Sequence, residues 1–132
     1  MDKDTIQYIQ NWLFKAENDI KVAEIVLESD EEKKPFDTVC FHCQQAVEKW
    51  LKAYLVYLDI MFPRTHSAAQ LIELGLVHDQ NLKQLEKAEL LTIFAVETRY
   101  PEDFYMPNEE EAKDAYDIAL QVQKYILSKI II

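Results

Sequence analysis

Glycine occurs once among the 132 residues, at Gly75, where average usage of about 7% would give roughly nine. Glycine enters positive φ without a steric penalty, so hairpin turns, bulges and close backbone approaches to ligands draw on it. With one glycine the chain holds no G-x-G-x-x-G dinucleotide loop, no Walker A loop and no G-x-S-x-G nucleophile elbow. Tight-turned β-sandwiches and barrels are disfavoured on the same ground. What remains is a helical chain.

Apolar spacing agrees. Ile6, Ile9, Leu13, Ala16, Ile20, Ala23 and Leu27 alternate steps of three and four, the signature of one helical face. Asp4, with Gln7 three residues on, is the expected cap of this first helix. A polar break from Ser29 to Pro35 precedes a second helix expected from about Phe36 to Ile60, whose stripe is Phe36, Cys40, Cys43, Val47, Trp50, Tyr54 and Tyr57. Pro63 ends it. Thr65 or Ser67 then caps a short helix, with Gly75 in the position of a C′ glycine. A third long helix is expected from Asn81 to Tyr100, stopped by Pro101. A fourth starts at Asn108, with Glu109, Glu110 and Glu111 at the positive end of its dipole and Ala112, Ala115, Ala119, Val122 and Ile126 on its buried face. The expected architecture is all-α: an up-and-down four-helix bundle with one additional short helix, in a single domain spanning 1–132.

The 14 basic and 24 acidic side chains leave a net charge of −10. That excludes a surface-wide nucleic-acid footprint, which needs a clustered basic excess. The least acidic stretch is 35–99, where a local phosphate contact stays open. No apolar run approaches the ~20 residues of a membrane span. The start, Met1-Asp2-Lys3-Asp4, lacks the basic flank of a signal peptide, so a cytoplasmic location is expected.

Cys40-Phe41-His42-Cys43 has the C-x-x-C form, but zinc would need two more ligands and both cysteines lie on the apolar stripe. They read as core residues, and no metal is expected. On the same helix, Phe41, His42, Gln45, Glu48, Lys49 and Lys52 fall within a 120° arc opposite the stripe, at about 100° per residue. This arc presents hydrogen-bonding groups together, either as a ligand face or as an ordinary solvated one.

The string Phe41-His42-Cys43-Gln44-Gln45-Ala46-Val47-Glu48-Lys49-Trp50-Leu51-Lys52 resembles the signature second helix of HEPN domains, the higher eukaryotes and prokaryotes nucleotide-binding family. Trp12-x-x-x-Ala16-x-x-Asp19, Thr65-His66, Arg99-Tyr100-Pro101 and the stretch Ala112 to Ala119 resemble the family in the same order, so the similarity spans nearly the whole chain. The resemblance implies a compact helical bundle, commonly a homodimer. It also implies a frequent partnership with a minimal nucleotidyltransferase in toxin–antitoxin or RNA-processing systems.

Catalytic HEPN ribonucleases carry R-x(4–6)-H, with Arg on phosphate and His moving the 2′-hydroxyl proton. From Arg99 the histidine would fall on Phe104, Tyr105 or Met106, and from Arg64 on Ala69, Gln70 or Leu71. No catalytic residue is therefore assigned. The expected function is a HEPN-type module that binds a nucleotide or a partner protein. Its candidate ligand residues are Gln45, Glu48, Lys49, Lys52, His66, Arg99 and Tyr100: Lys49, Lys52 and Arg99 for phosphate, Tyr100 for base stacking, Glu48 to orient a lysine. His66 serves as a helix-start residue or a ligand. No cofactor is required, although a nucleotide would fit this set. The alternatives are a toxin–antitoxin subunit that meets a minimal nucleotidyltransferase, and an atypical RNA-processing ribonuclease. The expected assembly is a homodimer, with Gln45, Glu48, Lys49 and Lys52 near its groove. The surplus apolar residues Trp12, Val22 and Val26 on the first helix and Leu51, Leu55 and Leu58 on the second favour it.

Overall fold

In the computed structural model, residues 1–95, 101 and 105–132 are described. All regular structure among them is helical: α1 (Lys3–Glu28), α2 (Phe36–Tyr57), α3 (Ala68–Leu76), a 3-10 segment (Gln80–Phe94) and α4 (Glu109–Lys129). None of these helices is long and apolar enough to cross a membrane.

The two N-termini with the strongest local signals form with good caps. Asn108 accepts from the Glu111 amide at 2.8 Å while Glu111 returns a carboxylate to the Asn108 amide, a complete capping box. Ser67 accepts from the Gln70 amide and starts α3. The cap of the first helix lies two residues earlier than expected. Asp2, not Asp4, accepts from the Thr5 amide at 2.7 Å.

The second helix ends at Tyr57 rather than Ile60. The Ile60 amide reaches back to the Leu55 carbonyl at 2.8 Å and the Asp59 amide to Val56 at 3.0 Å, the paired bonds of a Schellman stop. Asp59 takes the left-handed position of that motif, with φ 59°. Glycine usually holds this place, and Asp is one of the few side chains that tolerates it.

Gly75 does not close α3 as a C′ residue. It is a buried member of the helix with negative φ. A β-carbon there would lie 2.3 Å from Leu82 Cδ1 and 3.3 Å from Leu55 Cδ2. The glycine is a contact point between α3 and the 3-10 segment.

That segment replaces the expected third α-helix. Leu82, Leu85, Ala88 and Leu91 are its buried residues, each three positions after the last. This is the eclipsed i, i+3 spacing of a 3-10 helix, with three residues per turn. The residues expected to continue the third helix, 96–100, lie outside the described residues.

α2 is the central element, in contact with α1, α3, α4 and the 3-10 segment, and most extensively with α1 and then α4. Pairs along the helices set their directions. Trp12 meets Lys52 and Asp19 meets His42, so α1 and α2 run antiparallel. Tyr116 donates to Glu24 and Gln123 to Glu17, so α1 and α4 are antiparallel too. One hydrophobic cluster draws on every element and includes Trp50, Leu51, Leu55, Leu71, Leu82, Val122 and Ile126. Both cysteines belong to it. Burial pushes the Cys40 thiol up to about 12 and raises Cys43 further, which leaves little reactive thiolate. Leu51 and Leu55, expected to contribute surplus apolar surface, are consumed inside the chain.

Candidate functional site

Because α2 is enclosed by neighbours, its polar residues do not form an open face. Glu48 and Lys52 are buried, with side chains 5% and 9% exposed, and Lys52 Nζ donates to Glu48 Oε2 at 2.8 Å. The other Glu48 oxygen lies 2.8 Å from His66 Nδ1 and 3.3 Å from the Gln44 amide that donates to it. Gln44 also donates to the His66 carbonyl at 3.1 Å. A carboxylate taken out of water is costly unless its lone pairs are occupied, and three donors serve Glu48. Lys52 sits 5.4 Å from the Trp12 ring centroid and 6.0 Å from that of Phe62, within cation–π range of both. His66 is half exposed, with 48% of its side chain in solvent. It closes the network from outside.

One turn toward the start of α2 lies a second charged group. Asp19 of α1 is buried; it accepts from Lys49 Nζ through one oxygen and lies 2.8 Å from His42 Nδ1 through the other. His42 and Lys49 each keep roughly a fifth to a quarter of their side chains exposed. Gln45 is half-buried and donates to Gln44 Oε1 at 2.7 Å. The structure therefore brings Gln45, Glu48, Lys49, Lys52 and His66 into one seam between α1, α2 and the start of α3. Arg99 and Tyr100 lie outside the described residues.

The chain has counterparts among known proteins. The HEPN domain profile matches residues 9–130. The chain belongs to the HEPN family. This HEPN domain is 26% identical over 138 residues to a Methanocaldococcus jannaschii protein named "Putative toxin MJ1304", covering 95% of this chain and 87% of that one. It also shares the fold of ST0689, an archaeal HEPN homologue of known crystal structure. There the TM-score is 0.69 at 22% identity, over 93% of this chain and 98% of the other.

Three groups in this HEPN domain were not singled out from the sequence as site residues. Asp19 is one, although it falls between Ala16 and Ala23 at steps of three and four, which places a carboxylate on a buried stripe and calls for a partner. Gln44 is another. It shares a ridge with Glu48, Leu51 and Leu55, again at steps of four, three and four. The third is a knot at the far end of α2, where Tyr54 and Tyr125 both donate to Asp79 Oδ2, at 2.7 and 2.6 Å. The other Asp79 oxygen caps the 3-10 segment through the Asn81 amide at 3.0 Å. Burial and the adjoining carboxylate push both phenols well above their ordinary value. Nothing in local spacing links residues 54, 79 and 125.

Between the start of α1 and the turn after α2 lies an open groove of about 340 Å³. Tyr8 and Phe62 supply aromatic surface, Val56, Ile60 and Met61 apolar surface, and Asp59 a carboxylate. Among the described residues no group of three or more His, Cys, Asp and Glu side chains is arranged to hold a metal ion.

Proposed function

We propose that this HEPN domain is the toxin-type subunit of a toxin–antitoxin pair, that it acts in the cytoplasm by engaging a partner protein, and that the partner is a minimal nucleotidyltransferase. The observation that carries this reading is the relationship to the archaeal protein named as a toxin, which extends over 95% of the chain. Two features support protein binding over RNA hydrolysis. Positions 104–106 hold no histidine after Arg99. The two lysines of the seam are committed to Glu48 and Asp19, so their charge is neutralised before any phosphate arrives. Assembly as a homodimer is part of the proposal. Phe14, Val22 and Ile25 stay exposed on the outer side of α1, and a two-fold pairing is the commonest way to cover such a face.

The deciding experiment is co-expression of the tagged chain with the products of its neighbouring genes. Stoichiometric co-purification of a nucleotidyltransferase, with relief of growth arrest caused by this chain alone, is the expected result. No complex and no arrest would overturn the proposal. A second reading, nucleotide binding at the seam's outer edge, is favoured by the solvent access of Gln45, Lys49 and His66. Isothermal titration with ATP and GMP, comparing wild type with Lys49→Ala, tests it.

A further inference from the structure

We infer that the groove between the start of α1 and the turn after α2 is a docking site for an arginine side chain presented by a partner peptide. Among the described residues that line it, Asp59 is the only charged one, and the whole chain carries −10. An anionic ligand would meet repulsion from Asp59, and the ammonium beside Phe62, that of Lys52, is already paired with Glu48. A purely apolar occupant would cover the Asp59 carboxylate and strip its water without pairing it, which is costly. A cation satisfies the carboxylate and the aromatic surface together, since the ring of Tyr8 attracts positive charge, while Phe62, already approached by Lys52, adds apolar wall.

Arginine fits better than lysine. Its planar guanidinium pairs bidentately with a carboxylate, stacks on rings and is more weakly hydrated. Val56, Ile60 and Met61 offer apolar surface for its aliphatic stem. A volume of about 340 Å³ is at the small end of ligand sites, enough for one long side chain and little more. The backbone adds a separate indication. Asp59 occupies a left-handed position where glycine would be the less strained residue, and an acidic residue holds that place in the groove's lining.

This inference goes beyond the toxin–antitoxin reading and does not depend on it, because its test contains no partner protein. The probe is the capped peptide Ala-Leu-Arg-Leu-Ala, compared with versions carrying citrulline or norleucine in place of arginine, titrated into the full-length chain by amide NMR. The expected result is saturable shifts at residues 5–8 and 56–62 with the arginine peptide. Affinity should be roughly five-fold lower for both analogues, the sum of a modest ion pair and a cation–π contact. Asp59→Asn and Asp59→Gly should each bring the arginine peptide down to the citrulline level. The glycine variant suits the left-handed backbone, so its loss of binding reports the carboxylate and not the fold. Equal affinity for citrulline, preference for norleucine, shifts elsewhere, no shifts, or full binding by Asp59→Gly would overturn the inference.

Discussion

Glu48 is a carboxylate in the interior with three hydrogen-bonding neighbours, and its surroundings dictate how substitutions there behave. Removing one member of a buried ion pair strands the other, at a typical cost of about 3–5 kcal/mol, whereas replacing both by apolar groups is often close to neutral. Lys52→Met alone should therefore destabilise the chain by roughly that amount in urea unfolding. Lys52→Met with Glu48→Leu should recover most of the loss. Asp79 behaves differently because its charge is wanted. Burial alone would raise its carboxyl, but the phenols of Tyr125 and Tyr54 and the Asn81 amide outweigh it and hold it below the usual 3.8. A carboxyl depressed in the folded state contributes stability above its unfolded value and loses it as pH falls from about 3.8 through the lower folded value. The double variant Tyr54→Phe, Tyr125→Phe should be less stable at neutral pH by about 1.5–3 kcal/mol. The gap to wild type should narrow in denaturant titrations carried below that window, and Asp79→Asn should remove the same share of the pH dependence.

Among the helices, Gly75 shows how two of them approach. Alanine would gain about 0.5–1 kcal/mol of helix propensity, but its β-carbon would overlap the end of Leu82, which would have to shift within a buried site. Overpacking of this kind costs about 1–3 kcal/mol, so Gly75→Ala should lower the unfolding midpoint, and a shorter side chain in the Leu82→Val background should restore it. The reading from sequence alone is best where burial is one-sided. Ala112, Ala115, Ala119, Val122 and Ile126 of α4 are all buried as their spacing predicts, because that helix offers one face to the core. It is weakest on α2, whose neighbours cover several sides. Gln45, Glu48, Lys49 and Lys52 do share a side, yet the arc opposite the main stripe is the seam with α1 and not a solvated surface. Only the position of α1 decides that, and no local pattern contains it. The 3-10 segment is a different case. Leu, Gln, Glu and Lys favour α-helix by propensity, but the threefold spacing of Leu82, Leu85, Ala88 and Leu91 was visible and marks the tighter winding.

In the folded chain as a whole, alternating directions bring the start of α1 to the end of α2 and leave the outer side of α1 with Phe14, Val22 and Ile25 uncovered. Light scattering should give a mass near twice the 15.6 kDa of one chain, and Phe14→Glu with Ile25→Glu should return it to the single-chain value with helical content intact. A constant single-chain mass for the unaltered protein over a range of concentrations would rule the pairing out. The winding of residues 80–94 also constrains how related chains can differ in length. In a helix with three residues per turn, one inserted residue rotates everything beyond it by about 120°, turning the later leucines outward, while three inserted residues restore the facing side chains. An α-helix needs about seven for a comparable return. Homologues that keep this segment should therefore gain or lose length here in multiples of three.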